Sequence, residues 1–343
     1  MHVHSYLQSA VTILQLYDGN IPFAAWLKNY FKQNKKFGSK DRKAIGDLCF
    51  CFFRLSNAFA EKSIQERISI GQFLCHANSP FVNELKPEWQ PFLALSIPEK
   101  LKAINADEDI AISPFSQELS PEIENGTFSL SHLVQPDLFL RTRPGKQETV
   151  IQKLNAGAVS FTIESDCVRL ANTSKIDDIL ELDSDVVVQD KSSQQVLNPL
   201  KENWNKDSFT AWDCCAASGG KTILLHDIFP KAQLTVSDIR ESILHNLRSR
   251  FRRAGIHQYQ SFVADVSASS FRSNRKYDVI ICDAPCSGSG TWGRTPEQLH
   301  FFKHDRIDYY ADLQKRIAAN ASKSLNKDGM FVYITCSVFK KEN

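Results

Sequence analysis

The sequence lacks the long apolar runs and the secretion signal that would place it in a membrane or outside the cell. Its longest uninterrupted apolar run extends from Leu48 to Phe53, far short of the roughly 20 residues that a transmembrane helix requires. The first ten residues have neither the basic start nor the apolar stretch of a secretory signal. We therefore expect no membrane partner and a cytoplasmic location.

Paired cysteine motifs are also lacking. The nine cysteines are an odd number without the regular spacing of a small secreted scaffold, so we expect free thiols in a reducing compartment. No cysteine or histidine pair is followed by a second pair at ligand spacing, and the adjacent Cys214 and Cys215 are not expected to point two thiolates at one metal. The sequence therefore predicts no metal site.

No charge of one sign dominates the chain. It has 41 basic and 39 acidic residues, 42% hydrophobic residues and 23% charged residues, which are ordinary globular values that exclude wholesale disorder and a coiled coil. At about 150 residues per domain, 343 residues indicate two or three domains. We expect a monomer.

The first hundred residues predict amphipathic helices, because apolar side chains recur there at helical spacing. Two such stripes are present: Phe23, Trp26, Leu27, Tyr30 and Phe31, and Ile45, Leu48, Cys49 and Phe52. The segment 32–43 between them carries six basic residues against one acidic residue. A solvated turn and a phosphate-contacting patch both remain open for this segment.

Composition then divides the rest of the chain. Residues 104–128 hold six acidic residues, no Lys or Arg, and several helix breakers, which predicts a linker or a loosely ordered surface segment. Short β-rich runs with one helical stretch over 136–196 predict a small α+β module. We expect domains at 1–128, 129–200 and 201–343.

After residue 205 the pattern alternates between strand, loop and helix. This alternation predicts an α/β domain with a parallel sheet and helices on both faces. Several of the strands are followed by an acidic residue: Asp213, Asp238, Asp265 and Asp283. Because ligands of such sheets lie beyond the carboxyl ends of the strands, we expect these carboxylates to surround one crevice.

The first strand of this domain leads into the loop DCCAASGGKT, residues 213–222. Its small residues allow backbone N–H groups to approach a ligand at a helix start. It is not a P-loop, because that motif needs Gly where Cys215 stands, and it is not the GxGxxG of dinucleotide-binding folds. Asp238 suits ribose hydroxyls and Asp265 suits an adenine amino group, although helix capping is the alternative for both.

The segment YDVIICDAPCSGSGTWGR, residues 277–294, follows a buried strand with Asp283, Cys286 and a glycine-rich turn. A second cysteine, Cys336, comes at the end of another strand, in YITCS. Single intracellular cysteines are usually inert and buried. Two cysteines at strand ends, in a sheet whose other strands end in carboxylates, instead indicate covalent chemistry.

Five segments in this order resemble the RsmB/Nop/Sun family of RNA cytosine-carbon-5 methyltransferases: DCCAASGGKT, VSD, VAD, DAPCSGSGTWGRTPE and DGMFVYITCS. The resemblance covers about residues 130–343. GSKDRKAIGDLCFCFFRL resembles part of the NusB-like domain of the bacterial ribosomal RNA branch, and LFLRTRPGK resembles part of the family's small RNA-binding module. The resemblance implies a Rossmann-like methyltransferase domain, preceded by an all-α NusB-like domain and the α+β module.

By that resemblance the cofactor is S-adenosyl-L-methionine. Asp238 would hold its ribose, Asp265 would face its adenine, and Asp283 would lie between the cofactor and the target cytosine. Cys336 would be the nucleophile, and Cys286 would help to release the product. The methionine and ribose side would be lined by the loop residues Cys215, Ala216, Ala217, Ser218, Gly219, Gly220 and Lys221.

This chemistry needs a thiol. Carbon 5 of cytosine is too electron-poor to attack a methyl sulfonium unaided, so a thiolate must first add to carbon 6. After methyl transfer a base removes the carbon-5 proton and the thiolate leaves. Because the base must leave its stack to reach Cys336, the expected substrate is an unpaired cytosine in RNA.

The charge distribution agrees with an RNA partner. Residues 240–276 contain eight basic and two acidic residues, with a solvated helix face as the alternative. The RNA-contacting candidates are Arg294, Lys221 and Arg141. Small-subunit ribosomal RNA is the preferred substrate and transfer RNA is possible. A non-catalytic ribosome-assembly factor and a methyltransferase for another nucleic acid or a protein are the rival functions.

Two features depart from the family pattern. Ser218 stands where the family usually has proline, so we expect a loop that is less rigid but still competent. The chain ends with KKEN, seven residues after Cys336, where the family continues through a helix and a strand hairpin. We therefore expect either a catalytic domain that is truncated at its carboxyl end or a sheet that closes in an unusual way.

Overall fold

The computed structural model describes residues 3–107 and 110–343. The chain forms two compact units. The helical unit contains the residues up to Pro136 together with Ser287–Ile307 and Cys336–Asn343. The sheet unit contains Asp137–Cys286 and Asp308–Thr335. None of the helices in the described ranges is both long enough and apolar enough to cross a membrane.

The amino-terminal part of the helical unit is all-α, as the NusB-like resemblance implies. Its helices are α1 (Val3–Leu16), α2 (Phe23–Gln33), α3 (Ser39–Leu55), α4 (Ile64–Cys75), α5 (Pro80–Leu85), α6 (Ile97–Ala103) and α7 (Asn125–Ser131). Ser63 begins α4 with a capping box, because its hydroxyl accepts from the Glu66 N–H while the Glu66 carboxylate accepts from the Ser63 N–H. Both predicted stripes are confirmed as helix faces in α2 and α3, and Phe23, Leu27 and Phe31 are buried.

The segment 104–128, predicted as a linker or a loosely ordered surface segment, contains apolar side chains that pack into the helical unit. Ile112, Phe115 and Leu119 are buried in the same apolar cluster as Leu55 and Phe73. These apolar side chains supply the burial that offsets the entropy of ordering the segment. The acidic Glu108 and Asp109 of that segment lie outside the described residues.

The first part of the sheet unit is the predicted α+β module. A four-stranded antiparallel sheet has the order β2-β3-β1-β4, and an apolar face of α8 packs with it through Val150 and Leu154. The elements are β1 (Leu138–Thr142), α8 (Gln147–Ala156), β2 (Phe161–Glu164), β3 (Cys167–Leu170), β4 (Val186–Val188), α9 (Lys191–Gln195) and α10 (Asn198–Asn203).

The second part is a five-stranded parallel sheet in the order β7-β6-β5-β8-β9, which confirms the predicted fold class. Its elements are β5 (Thr210–Asp213), α11 (Gly220–Ile228), β6 (Gln233–Asp238), α12 (Glu241–Arg253), β7 (Tyr259–Val263), β8 (Tyr277–Asp283) and β9 (Leu325–Ile334). The strand order reverses between β5 and β8, and such a switch point opens a crevice at the carboxyl ends of the strands.

Two further helices complete the chain, α13 (Pro296–Phe301) and α14 (Asp305–Ser322). α13 belongs to the helical unit, where Leu299 is buried with Trp292 and Phe339. The division into units thus differs from the three expected domains, because the 287–307 and 336–343 segments of the expected catalytic domain are grouped with the helical unit.

Candidate functional site

The loop between β5 and α11 makes a sharp turn that depends on Gly219. Its φ is +85°, and a Cβ there would lie 2.6 Å from Cε1 of Phe251 and 3.1 Å from Cγ of Leu247. Ala217 also has a positive φ, of 45°, which costs a residue with a side chain about 1–3 kcal/mol. The backbone of this loop is therefore held in an unusual conformation at the carboxyl edge of the sheet.

Asp238 at the end of β6 holds that loop in place. The carboxylate is 6% exposed, and its Oδ2 accepts a hydrogen bond from the Ala217 N–H at 3.0 Å. Its Oδ1 accepts from the Arg240 N–H at 2.9 Å. Because each carboxylate oxygen has two lone pairs, Asp238 retains acceptor capacity for a ligand hydroxyl.

Asp213 at the end of β5 is nearly removed from solvent, with 2% exposure. Oδ2 accepts from the Thr222 hydroxyl at 2.7 Å, whereas Oδ1 has no hydrogen-bond partner among the described residues. Burial raises the pKa of Asp213 to about 7, and the charge of Asp283 adds to the rise. A buried carboxyl poised near neutrality at a switch point is typical of a functional site.

Lys221 and Asp283 form an ion pair beside this carboxyl. Lys221 Nζ lies 2.6 Å from Asp283 Oδ2, and both side chains are about four-fifths buried. Lys221 comes from the first turn of α11, and Asp283 is the last residue of β8. The two strands at the switch point thus each deliver a carboxylate next to the same lysine.

The predicted gathering of four carboxylates is therefore realised for three of them. Asp213, Asp238 and Asp283 all contact the segment 217–222. Asp265 is exposed and accepts from the N–H and hydroxyl of Ser267, at 2.9 Å and 2.6 Å, the local turn bonding that the capping alternative describes. Its expected role toward adenine stays a prediction.

Hydrogen bonds restrain Ser218, which stands where the RsmB/Nop/Sun family that the sequence resembles usually has proline. Arg250 Nη1 donates to the Ser218 hydroxyl at 3.0 Å and to its carbonyl at 3.2 Å. The same guanidinium donates through Nη2 to Asp183 at 2.7 Å, and Arg253 donates to the other oxygen of Asp183 at 2.6 Å. Two arginines of the basic helix α12 are thus engaged within the protein.

Three thiols meet behind the loop, which corrects the expectation for Cys214 and Cys215. Their sulfur atoms and that of Cys282 lie within 4.8 Å of one another. The cause is the pairing of β5 with β8, which places the Cys214 N–H 3.0 Å from the carbonyl of Ile281. Hydrogen bonds from the Cys214 and Cys215 thiols lower the pKa of Cys282.

The two predicted reactive cysteines follow neighbouring strands. β8 and β9 are parallel partners with Asp283 opposite Ile334, and Cys286 and Cys336 come three and two residues after those positions. Cys286 is half-buried in the sheet unit, and Cys336 is exposed in the helical unit.

Within the helical unit, Gly290 approaches the backbone of Cys336 closely. The Gly290 N–H donates to the Cys336 carbonyl at 2.8 Å, and a Cβ on Gly290 would lie 2.9 Å from that oxygen. A larger residue at position 290 would therefore displace the backbone at Cys336.

The sequence analysis did not predict a network of hydrogen-bonded hydroxyls beside Cys336. Ser337, the next residue, shares hydrogen bonds of 3.2 Å with the hydroxyls of Ser287 and Ser289. It also donates to Glu342 at 2.8 Å, and the other oxygen of that buried carboxylate accepts from the Ser287 N–H at 2.9 Å. The serines lie in the two cysteine motifs and could have been noted from the sequence. Their common partner, Glu342 in KKEN, lies in no recognisable motif.

The structure corrects the prediction that Arg141 contacts RNA. Its side chain is 6% exposed and forms a buried ion pair with Asp227, which also pairs with Arg143 Nε at 2.9 Å. A guanidinium committed to a buried carboxylate is not offered to phosphates, so Arg141 does not fit the predicted RNA-contacting role. Arg294 is half-buried in the helical unit, and its predicted role remains a prediction.

Comparison with known proteins agrees with this geometry. Residues 194–343 match the family described as 16S rRNA methyltransferase RsmB/F. The ribosomal RNA small subunit methyltransferase B of Xanthomonas campestris pv. campestris is 30% identical over 210 residues, which cover 59% of this chain and 47% of that protein. The chain spans about half the length of such curated relatives.

Two solved structures share the fold. PH0851 has a TM-score of 0.65 at 18% identity, over 97% of this chain and 85% of that one. NSun6 of Pyrococcus horikoshii, solved with SFG, has a TM-score of 0.54 at 16% identity, over 64% of this chain and 82% of that one. Residues 194–343 of this chain are therefore similar to the RsmB/F family of 16S rRNA methyltransferases.

Proposed function

We propose that this protein methylates carbon 5 of an unpaired cytosine in small-subunit ribosomal RNA, with S-adenosylmethionine as the methyl donor and Cys336 as the nucleophile. The observation that carries the proposal is the family match over residues 194–343, which contain both Cys286 and Cys336. The curated relatives with that match are named ribosomal RNA small subunit methyltransferase B.

The residues of the β5–α11 loop fit the cofactor. Gly219 leaves the loop without a side chain at its tightest point, and the nearby carboxylate of Asp238 suits a ribose. When bound there, S-adenosylmethionine supplies an electrophilic methyl group. The ion pair of Lys221 with Asp283 limits the repulsion between the charges of Asp283 and Asp213.

The chain's own residues supply the remaining steps. The Cys336 thiolate adds to carbon 6 of the cytosine, and the electron pair of the 5,6 double bond becomes available at carbon 5. The Asp283 carboxylate accepts a hydrogen bond at the amino and ring-nitrogen edge of the base. Once carbon 5 carries the methyl group, a base takes its proton, the sulfur–carbon bond breaks, and Cys336 leaves as a thiolate. Cys286 assists this release.

Trapping on RNA that contains 5-fluorocytosine tests the nucleophile, because fluorine cannot leave as a proton and the adduct persists. We expect the wild-type chain and the buried-cysteine control Cys167→Ala to form a protein–RNA adduct that survives denaturing electrophoresis. Cys336→Ala should form none. Undiminished trapping by Cys336→Ala would refute the proposal.

The release step has a separate test with ordinary cytosine RNA. Cys286→Ala should accumulate covalently linked protein while free methylated product falls, whereas normal free turnover by this variant would remove its release role. RNA and DNA of one sequence, compared at matched salt, test the substrate class, because phosphate contacts alone make affinity depend on ionic strength. RNA binding without any methyl transfer would instead favour the assembly-factor function.

A further inference from the structure

Four side chains of metal-ligand type meet in the helical unit, and none of them is assigned to methylation. Asp47 and Cys51 lie one turn apart on α3, so they share one face of that helix. Cys75 is the last residue of α4, and His76 follows it. The packing of α3 against α4 brings the four together.

Their spacing matches a coordination shell. His76 Nε2 lies 3.0 Å from Asp47 Oδ2 and 3.4 Å from Cys51 Sγ, and these three atoms lie within 4.8 Å of one another. Ligand atoms around a tetrahedral zinc ion are about 3.3–3.8 Å apart, given zinc–ligand bonds of about 2.0–2.3 Å. Cys75 lies close enough to Cys51 to perturb its thiol, and its place directly before His76 at the end of α4 makes it the candidate for a fourth ligand.

Gln72 supports this group from behind. Its Nε2 donates to Asp47 Oδ2 at 2.7 Å and to Cys51 Sγ at 3.2 Å. Ser79 fixes the amide by donating to the other end, Oε1, at 2.8 Å. A buried side chain that orients two ligands at once is the arrangement that outer-shell residues of metal sites adopt.

We propose that Asp47, Cys51, Cys75 and His76 bind one Zn²⁺ ion, which joins α3 to the end of α4. Two thiols, an imidazole and a carboxylate are a set that zinc accepts and that Mg²⁺ and Ca²⁺ do not prefer. The site is independent of the proposed methylation, since its residues lie on α3 and α4 and none of them is assigned to that reaction.

The test is metal binding by the full chain after chelation and reduction. Equilibrium dialysis against Zn²⁺ should give one ion per chain, and Co²⁺ should produce the intense thiolate-to-cobalt charge-transfer bands of a cysteine-ligated tetrahedral site. Cys51→Ser and His76→Ala should lose the ion, and Gln72→Ala should bind it about 10–100-fold more weakly. Cys49→Ser is the matched control, because Cys49 is buried on the same helix outside the group.

The cobalt spectrum of the wild-type chain keeps the test valid even if a variant fails to fold. No metal at micromolar free Zn²⁺, or the same stoichiometry in Cys51→Ser as in wild type, would overturn the proposal. So would a Cys51–Cys75 disulfide in peptides mapped without reductant from a chain that binds no ion. Metal retained by Cys51→Ser but lost by a Cys282→Ser variant would assign the ion to the three thiols behind the cofactor loop and would equally overturn it.

Discussion

Replacing Gly219 with alanine should destabilise the sheet unit by about 2–5 kcal/mol. The substitution combines two costs that the structure separates. The φ of +85° is unfavourable for any residue with a side chain, and the new Cβ would lie 2.6 Å from the buried ring of Phe251.

The magnitude follows from those two terms. A left-handed alanine costs about 1–2 kcal/mol, and forcing an extra carbon into a filled core costs about 1–3 kcal/mol. Phe251 has no exposed surface, and its partner Leu247 is equally buried, so the ring cannot swing into solvent to make room. Against a typical domain stability of about 5–15 kcal/mol, the loss is large.

Gly255→Ala is the matched control. Gly255 has a φ of +74°, but a Cβ there would meet no atom within 4 Å in the part of the chain that the structure describes, so only the conformational cost of about 1–2 kcal/mol applies. Urea unfolding of both variants, followed by circular dichroism, gives the two free energies of unfolding. Equal losses in the two variants, or a loss under about 1 kcal/mol for Gly219→Ala, would show that the loop does not depend on close packing against Phe251.

Three other outcomes are expected. The raised pKa of Asp213 means that the folded state holds its proton more tightly, so this carboxyl should cost stability as the pH rises from 3.8 to about 7. The cost is about 4 kcal/mol in the free energy of unfolding. Asp213→Asn should remove this pH-dependent loss, as measured by urea unfolding at several pH values. An unchanged pH dependence would contradict the burial argument. Asp227→Ala should lower the free energy of unfolding by about 3–5 kcal/mol, because two buried guanidiniums lose their carboxylate partner. Asp137→Ala, which breaks an exposed ion pair, should lower it by less than about 1 kcal/mol. Similar losses in the two variants would argue against a buried network. Arg294→Gln should lower the salt dependence of RNA affinity by about 0.7 in slope, as loss of one phosphate contact does, and Arg141→Gln should leave that slope unchanged while lowering the unfolding midpoint.

The parts of the fold that follow from local pattern were predictable. The strands β5, β6 and β8 are short apolar runs that end on aspartate, and a buried parallel strand needs no other signal. The stripes of α2 and α3 are equally direct. The loop from Cys215 to Lys221 and its carboxylates were found because a parallel sheet brings successive strand ends to one edge.

The differences from prediction concern partners that are distant in sequence. Arg141 pairs with Asp227, which lies 86 residues away in the sequence. Because that pairing cannot be read from the sequence, the charge of Arg141 was interpreted as an exposed RNA contact, although the side chain is buried. The linker at 104–128 was inferred from acidic composition, yet Ile112 and Phe115 decide its packing.

The thiol clusters have the same origin. Cys214 and Cys215 meet Cys282 only because β5 pairs with β8. Asp47 and His76 meet because two helices pack side by side, and neither relation leaves a spacing rule in the chain.

The two contacts of the Arg250 guanidinium affect how chimeras of this chain and its relatives should be designed. This guanidinium donates both to Asp183, in the α+β module, and to Ser218, in the loop between β5 and α11. If residues 129–200 are replaced by those of a relative, the new segment must keep a hydrogen-bond acceptor at position 183. Without it, Arg250 would no longer be held in place to donate to Ser218, although the loop sequence itself is unchanged. Proline at position 218 would release the new segment from that requirement, because a ring restrains the backbone with no outside help.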